Sequence, residues 1–324
     1  MTSNFPLLLK RVGLTTVALT GYGTAVYFTT QFMTEKSEDG NTNAKQAQSS
    51  SSSLATTTSS TACNCNEFSH ITAPDRVETF QKIAKVYDDQ ISRDEFVMGL
   101  PLLRRMLLYF HCKGNVLEVG AGTGRNLNYY PSSATKVVLT DTSDQMLLKA
   151  RQKIKSGDYG EKFQIFVADA GNMTNHYEDN SFDTIVSTFT LCSFDDPVKV
   201  LQELQSLCKP DGKILLLEHG RTKRFEGLSN YLDKYADRHA KNWGCVWNRD
   251  LDDIINKAGL QIDKIDTWHF GTTYYIVCRP NLEIKEDRRL QKEIIKAAEG
   301  KEMMQTQTKS QNVKTKRTWW KYFS

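Results

Sequence analysis

The residues whose types and spacing most clearly indicate chemistry form a glycine-rich turn that follows an apolar run. Residues 116–126 have the sequence VLEVGAGTGRN, in which Glu118 precedes glycines at 120, 122 and 124. Glycine lets the backbone turn sharply from strand to helix and approach a ligand closely. The G-x-G-x-G spacing departs from the dinucleotide pattern, and the charge of Glu118 would repel a pyrophosphate. A cationic amino-acid ligand fits this turn better than a dinucleotide.

Two aspartates follow the next two apolar runs. Asp141 ends KVVLTD about 20 residues beyond the glycines, where an acid accepts hydrogen bonds from ribose hydroxyls, and Met146 shortly after it would pack near an adenine. Asp169 follows FQIFVA and would receive an adenine amino group. Each aspartate alone also suits a helix cap or a turn. Since the carboxyl ends of parallel strands meet at one crevice, Glu118, Asp141 and Asp169 are expected to converge there.

Alternating strands and helices would position these residues. Helical segments separate the first five of seven strand candidates, and the early strands are apolar blocks, as expected when both faces are buried. The link at 269–271 is too short for a crossover helix, so the last two strands should form an antiparallel hairpin. We expect an α/β fold, a Rossmann-like seven-stranded, mostly parallel sheet with one antiparallel edge strand and helices on both faces. The predicted strands are 115–119, 136–140, 163–168, 182–188, 213–218, 261–268 and 272–279.

Composition is consistent with one such domain plus appendages. The chain has 324 residues, and its hydrophobic content of 39% is low for a wholly compact protein. The net charge is +4, with basic residues concentrated at the two ends. Seven scattered cysteines indicate no disulfide framework, and Cys63 and Cys65 lack the further ligands that zinc coordination requires.

The ordered motifs carry a family resemblance. The segments VLEVGAGTGRN, LTD, VADA, SFDTIVSTFTLCSFDDP and LCKPDGKILLLEHG resemble those of class I S-adenosylmethionine (SAM)-dependent methyltransferases of type 11. The later segment RHAKNWGCVWNRDLDDIINKAGL resembles the fungal Oms-type mitochondrial methyltransferase-like proteins and, more distantly, the small membrane-bound thiol methyltransferases of animals. The resemblance covers residues 75–280 and implies SAM as cofactor.

It also implies a role for each matching residue. Asp141 would hold the ribose, while Met146 and Asp169 would contact the adenine end. Thr188, with Phe189, would face the methyl group. The methionine and ribose part of SAM would be lined by Glu118, Gly120, Gly122 and Gly124.

Few residues are candidates for a catalytic base. Methyl transfer needs mainly an oriented nucleophile, and a base only where that nucleophile must lose a proton. His219, in LEHG at the end of the fifth strand, is the tentative catalytic residue, although a lone histidine more often makes a structural hydrogen bond. His239, Asn248 and Arg249 lie in the insertion before the sixth strand, where they would cover the substrate or pack and cap the insertion. Asp195 and Asp196 most simply cap the next helix.

The N-terminus predicts a membrane anchor. After a short basic N-terminus at 1–11, residues 12–29 carry no charge and are close to the length of a spanning helix. A cleaved secretory signal and a buried helix are the alternatives, and the acid-poor start also suits mitochondrial targeting. A Ser/Thr-rich linker at 30–74 should be disordered, because it has too little apolar surface to offset its ordering entropy.

The C-terminal part, 281–324, should not belong to the core. It contains a probable charged helix at 283–300 and a basic, aromatic tail ending in KTKRTWWKYFS. This composition suits an anionic membrane surface or RNA, while a solvated tail without a ligand is the simpler alternative.

The function expected from these features is methyl transfer from SAM to an acceptor that is a lipid, a quinone-like molecule, a small thiol or a protein. A nicotinamide-dependent oxidoreductase is disfavoured by the glycine spacing, and a SAM-binding scaffold or assembly factor without turnover is the other alternative. The expected location is the mitochondrial inner membrane, with Lys10 and Arg11 keeping the N-terminus in the matrix and the domain in the intermembrane space. The endoplasmic reticulum is the alternative membrane.

Overall fold

A single seven-stranded sheet organises the computed structural model, which describes residues 73–295 and 297–298. The strand order is β3-β2-β1-β4-β5-β7-β6, and all neighbours are parallel except those involving β7. The strands are β1 (Gly114–Val119), β2 (Ala134–Asp141), β3 (Phe163–Val167), β4 (Phe182–Thr188), β5 (Cys208–His219), β6 (Gln261–Trp268) and β7 (Thr273–Arg279). The predicted Rossmann-like sheet is confirmed.

Helices cover both faces of this sheet. Three precede the first strand, and the others connect or follow the strands. They are α1 (Ala73–Ile83), α2 (Tyr87–Val97), α3 (Leu100–His111), α4 (Asp144–Ser156), α5 (Pro197–Leu207), α6 (Glu226–Trp243), α7 (Leu251–Ala258) and α8 (282–295).

The central strands separate two apolar layers. On β1, Leu117 and Val119 pack with residues of α5 and α7 on one face, while Val116 packs with α3 on the other. All three side chains are fully buried, which explains why the strand is an apolar block rather than an alternating pattern. Alternation along a strand therefore directs Glu118 to the same face as Val116, towards α3.

The last two strands form the predicted antiparallel hairpin. Strand β7 lies between β5 and β6 and runs antiparallel to both, so the antiparallel pairing is confined to this end of the sheet. The link is a single tight turn in which His269, Phe270 and Gly271 all have positive φ. His269 Nδ1 lies 2.9 Å from Thr273 Oγ1, which fixes the turn against the start of β7.

Helix caps account for several aspartates. Asp196 Oδ1 accepts a hydrogen bond from Lys199 N, so Asp196 caps α5 as predicted. Asn248, a possible cap within the insertion, does not cap the helix that follows it. Asp250 is the N-cap of α7, accepting from Asp253 N at 3.1 Å, while Asn248 Nδ2 donates to Asp233 Oδ1. Asn248 thus joins the insertion to α6.

Three predicted appendages fall wholly or mainly outside the described residues. The predicted membrane helix at 12–29, the linker up to residue 72 and the tail beyond residue 298 lie outside the described residues. Within 73–295 and 297–298, no helix combines the length and apolarity needed to cross a bilayer. The charged helix predicted at 283–300 is present as α8 over 282–295.

Candidate functional site

A cavity of about 870 Å³ lies at the carboxyl ends of β1, β2 and β4 and is covered by α1, α2 and α3. Its walls bring together strand ends that are far apart in sequence, as expected for an open α/β sheet. Six of the nine predicted site residues line it: Gly120, Gly122, Asp141, Met146, Asp169 and Thr188. Glu118, Gly124 and His219 do not line it.

Asp141 connects the ends of β1 and β2. Its Oδ2 accepts a hydrogen bond from Gly122 N at 2.9 Å, and its Oδ1 accepts from Ser143 N at 2.8 Å. Burial raises the pKa of Asp141, although the backbone N–H groups of Ser143 and Gly122 act in the opposite direction. Ser143, not Asp141, caps α4, by accepting from Met146 N. The carboxylate therefore organises the glycine turn while facing the cavity.

The three glycines of the turn have different roles. All have positive φ, but a Cβ on Gly120 would lie 2.0 Å from Thr190 Cγ2, whereas a Cβ on Gly122 would meet nothing within 4 Å. A Cβ on Gly124 would press on Leu127 and Ala150 instead, at 2.8 Å and 3.2 Å from the nearest atoms. Gly120 permits close packing, Gly122 leaves space for a ligand, and Gly124 belongs to the packing beneath the turn.

This difference predicts unequal costs for two alanine substitutions. Gly120→Ala combines left-handed backbone strain with overpacking and should lower the unfolding free energy by about 2–5 kcal/mol. Gly122→Ala adds only the backbone strain and should cost about 1–2 kcal/mol. Urea unfolding of both variants beside the wild type measures the difference. Equal losses would show that the contact with Thr190 adds nothing to the cost of Gly120→Ala.

Glu118 lies beneath the glycine turn, which corrects its predicted place beside the ligand. Its Oε1 accepts from Asn126 Nδ2 at 2.8 Å and its Oε2 from the Tyr130 hydroxyl at 2.5 Å. Only 2% of the residue is exposed, because strand alternation turns it under α3. Burial raises the pKa of Glu118 to about 7, against the hydrogen bonds from Tyr130 and Asn126.

This raised pKa predicts a pH dependence of stability. In the folded protein Glu118 keeps its proton up to about pH 7, whereas in the unfolded chain its pKa is the ordinary glutamate value of 4.5. The native state therefore binds more protons between these values, and stability falls as pH rises through this window. Glu118→Gln should flatten the curve by up to about 1.4 kcal/mol per pH unit. Parallel wild-type and variant curves of unfolding free energy from pH 4.5 to 8 would refute the assignment.

The two residues that the resemblance assigns to the adenine end of SAM, Met146 and Asp169, both line the cavity. Asp169 Oδ1 accepts from Gly171 N at 2.9 Å and its Oδ2 from Asn172 Nδ2 at 2.7 Å, so it also caps the short helix that follows. Met146, on the first turn of α4, is 2% exposed and forms an apolar part of the wall. The capping role and a ligand role are compatible, because Asp169 itself lines the cavity.

A buried arginine was missing from the sequence prediction. Arg104, on α3, is 4% exposed and lines the cavity. It donates to Thr188 Oγ1 at 2.7 Å and pairs with Glu95 Oε1 at 2.8 Å, and its Nε has no hydrogen-bond partner in the described part of the chain. The guanidinium also lies 5.0 Å from the centre of the Phe189 ring. Arg104 thus brings a fixed positive charge to the side of the cavity that the end of β4 forms.

Ion pairs attach α2 to the glycine turn. Arg125, directly after the turn, pairs with Glu95 Oε2 at 2.5 Å and with Asp88 Oδ1 at 3.2 Å. Lys153 of α4 reaches the other oxygen of Asp88 at 2.6 Å. Burial alone would raise the pKa of Glu95, but the charges of Arg104 and Arg125 lower it. Ion pairs with the residue after the glycine turn and with α4 thus hold α2 in place over the cavity.

His219 lies behind the cavity wall, which argues against its tentative role as a base. Its ring is 5.6 Å from that of Phe189, which itself lines the cavity, and its Nε2 is 2.9 Å from Cys245 Sγ. The sequence placed His219 correctly at the end of β5, but Phe189 and the segment after α6 enclose that strand end. In this structure the His219 imidazole does not reach the cavity.

The other insertion residues have structural contacts. His239 stacks on Trp247 with ring centres 3.9 Å apart, and burial lowers the pKa of His239 to about 4. Arg249 donates to the backbone oxygens of Cys192 and Phe194. Neither residue lines the cavity, so His239 and Arg249 pack within the insertion rather than cover the substrate.

Comparison with known proteins identifies the domain. Residues 117–216, which include the glycine turn, Asp141, Asp169 and Thr188, match the profile of a family described as a methyltransferase domain. The chain contains a methyltransferase domain. The resemblance predicted from the motifs is thereby confirmed.

Relatives of the methyltransferase domain include one protein that is mitochondrial by name and others that are named for thiol or phospholipid methylation. The chain is 35% identical over 230 residues to "Methyltransferase OMS1, mitochondrial" of Saccharomyces cerevisiae, covering 67% of this chain and 48% of that protein. It is 35% identical over 107 residues to the rat thiol S-methyltransferase TMT1B, covering 32% and 42%. A phosphatidylethanolamine N-methyltransferase of Cereibacter sphaeroides is 32% identical over 106 residues, covering 33% and 51%. The chain thus spans about half the length of these relatives.

Proposed function

We propose that the protein is a SAM-dependent methyltransferase in which the cavity beside the glycine turn binds SAM. The observation that carries the proposal is the position of Asp141, which faces the cavity and accepts the amide hydrogen of Gly122. This places a carboxylate for ribose hydroxyls directly beside a turn that leaves room for a ligand. The confirmed methyltransferase domain supports the same ligand.

The residues present fit SAM. A volume of about 870 Å³ lies within the range of about 300–1,000 Å³ typical of small-molecule sites. Asp141 would hold the ribose hydroxyls and Asp169 the adenine amino group, with Met146 against the ring. Arg104, a charged residue of the cavity wall, would receive the carboxylate of the methionine part.

The chemistry follows from orientation. SAM supplies a methyl group on a positively charged sulfur, and the protein must hold an acceptor in line with it. Thr188 and Phe189 at the end of β4 form the wall that would face this methyl group, and the face of an aromatic ring attracts a cation. With His219 outside the cavity, an acceptor that is already nucleophilic, such as a thiolate, needs the least help from the chain.

We further propose that the acceptor belongs to the classes expected from sequence, namely a lipid, a quinone-like molecule, a small thiol or a protein. The names of the relatives support the thiol and lipid classes. The proposed setting is the mitochondrial inner membrane, with the chain anchored through residues 12–29, the domain in the intermembrane space and the basic tail on an anionic surface. The mitochondrial relative supports the organelle. Digestion by protease after the outer membrane is opened tests the orientation, and a protected domain would refute it.

Calorimetry with SAM on the detergent-solubilised full chain tests the cofactor site. Gly122→Arg should abolish binding by filling the space that Gly122 leaves open. Gly160→Arg is the matched control, because Gly160 also has a positive φ with nothing within 4 Å and lies outside the cavity. Binding that survives in Gly122→Arg, or no binding to folded wild type, would overturn the proposal.

Transfer of labelled methyl groups then distinguishes an enzyme from a scaffold. The acceptor panel is a small alkyl thiol, phosphatidylethanolamine vesicles and a quinol, each incubated with labelled SAM. Labelling of one class that disappears in Gly122→Arg identifies the acceptor class. SAM binding without labelling of any of these or of mitochondrial extract would favour the scaffold over the enzyme.

A further inference from the structure

Three side chains that could ligate a metal meet behind the cavity wall. Cys192 comes from the loop after β4, His219 from the end of β5, and Cys245 from the segment after α6. Their ligand atoms all lie within 4.8 Å of one another, and the two cysteines are buried while the histidine is half-buried. Residues from three separate parts of the chain thus present two sulfur atoms and one imidazole nitrogen to one point.

We propose that Cys192, His219 and Cys245 bind one transition-metal ion of the zinc class. Two thiolates and one imidazole are a donor set that zinc prefers, and three protein ligands leave a fourth position for water or another ligand. Tetrahedral zinc with ordinary bond lengths separates such ligand atoms by about 3.5–3.8 Å. The observed spacing requires only small side-chain movements to reach this geometry.

The surroundings explain why these three residues form the set. Glu218 is adjacent to His219, but its Oε1 accepts from the Ser187 hydroxyl and its Oε2 from Thr190 N. Both of its carboxylate oxygens therefore already have hydrogen-bond partners. By contrast, the contacts of the Cys192 thiol outside the cluster that the described residues show are long, at 3.7 Å to Phe189 O and 3.5 Å to Ser193 Oγ. The Cys245 thiol lies 2.9 Å from His219 Nε2, within the cluster itself. Both cysteines are therefore available as ligands.

Neighbouring groups would support the ion. Arg249 donates to the backbone oxygen of Cys192 and brings a positive charge near the two thiolates. The Phe189 ring packs against His219 and fixes the orientation of the imidazole. Partners of this kind orient metal ligands and tune their affinity.

The ion would have a defined effect on the neighbouring cavity. Thr190 and Ser193 flank the Cys192 loop and line the cavity, whereas Cys245 follows α6 in the insertion. Coordination would therefore hold the insertion to the strand-four side of the cavity. This site goes beyond the proposed methyl transfer, and metal binding is measurable without any turnover.

Cobalt titration of the full chain tests the site. The detergent-solubilised protein, reduced and stripped of metal with a chelator, is titrated with Co²⁺ and followed by absorbance. One equivalent should produce the sulfur-to-cobalt charge-transfer band and the visible bands of a tetrahedral site, and Zn²⁺ should displace it. Cys192→Ser and Cys245→Ser should each weaken binding by more than about 100-fold.

Two control variants separate this site from the other cysteines. Cys278→Ser removes a buried thiol of β7 outside the cluster, and the double variant Cys63→Ser with Cys65→Ser removes the pair in the linker. Both should retain the cobalt bands. Loss of the bands in the linker variant, or their absence in folded, reduced wild type, would overturn the proposal. The wild-type titration decides even if a ligand variant does not fold, and SAM calorimetry on the same sample reports independently on the cofactor site.

Discussion

Replacing Asp141 with alanine should weaken SAM binding by about 100-fold or more. The substitution removes the acceptor for ribose hydroxyls and, at the same time, the carboxylate that holds Gly122 N and Ser143 N. Hydrogen bonds to a charged group are worth about 1.5–3 kcal/mol each, so losing two to the ligand corresponds to at least this factor. Calorimetry at constant salt measures the change directly.

Asp144→Ala is the matched control for this experiment. Asp144 begins α4 three residues after Asp141, but it is exposed and does not line the cavity. Its removal should leave the affinity for SAM within about twofold, because a surface charge contributes little at this distance. An Asp141→Ala variant with wild-type affinity would remove Asp141 from the ribose role, whatever the effect on stability.

Replacing Arg104 with methionine should lower the free energy of unfolding by about 3–5 kcal/mol. Methionine preserves much of the side-chain volume but leaves the buried carboxylate of Glu95 with Arg125 alone and removes the donor to Thr188. Breaking a buried ion pair at one partner typically has a cost of this size. Arg104→Lys should recover only part of it, since an ammonium cannot reproduce the forked contacts of a guanidinium.

Urea unfolding of Arg104→Met, with Arg105→Met as control, measures this cost. Arg105 is the next residue of α3 and is exposed, so its replacement should change stability by less than about 0.5 kcal/mol. Combining Arg104→Met with Glu95→Gln should cost less than the sum of the single changes, because the interaction between the two side chains is then lost only once. Additive losses would show that the two side chains are not coupled.

Much of the fold was predictable because the central strands contain apolar blocks and several strands end in distinctive residues. Strands β4 and β6 were predicted with the observed bounds, and the short link correctly indicated the hairpin. Asp141 and Asp169 reach the cavity because Asp141 is the last residue of β2 and Asp169 lies two residues beyond the end of β3. Position at the carboxyl end of a strand thus predicted that these two side chains would reach the cavity.

Side-chain direction was harder to predict. Glu118 lies within β1, where alternation rather than proximity to the turn decides which face it occupies, and its partner Tyr130 comes only after the turn. Arg104 and Glu95 belong to helices that precede every recognisable motif, where charged residues ordinarily face solvent. Their importance follows from their burial against the strand ends, which sequence spacing alone does not reveal.

The first helix of the domain also bears on how an acceptor would arrive. Arg76, on the first turn of α1, is a wall residue of the cavity and pairs with Asp195 at 2.7 Å. The polypeptide therefore enters the domain beside the cavity rather than at the opposite end of the sheet. If the chain is attached to a bilayer through its N-terminus, an apolar acceptor would reach the cavity by lateral diffusion within the membrane. The acceptor would then not have to leave the bilayer and cross water.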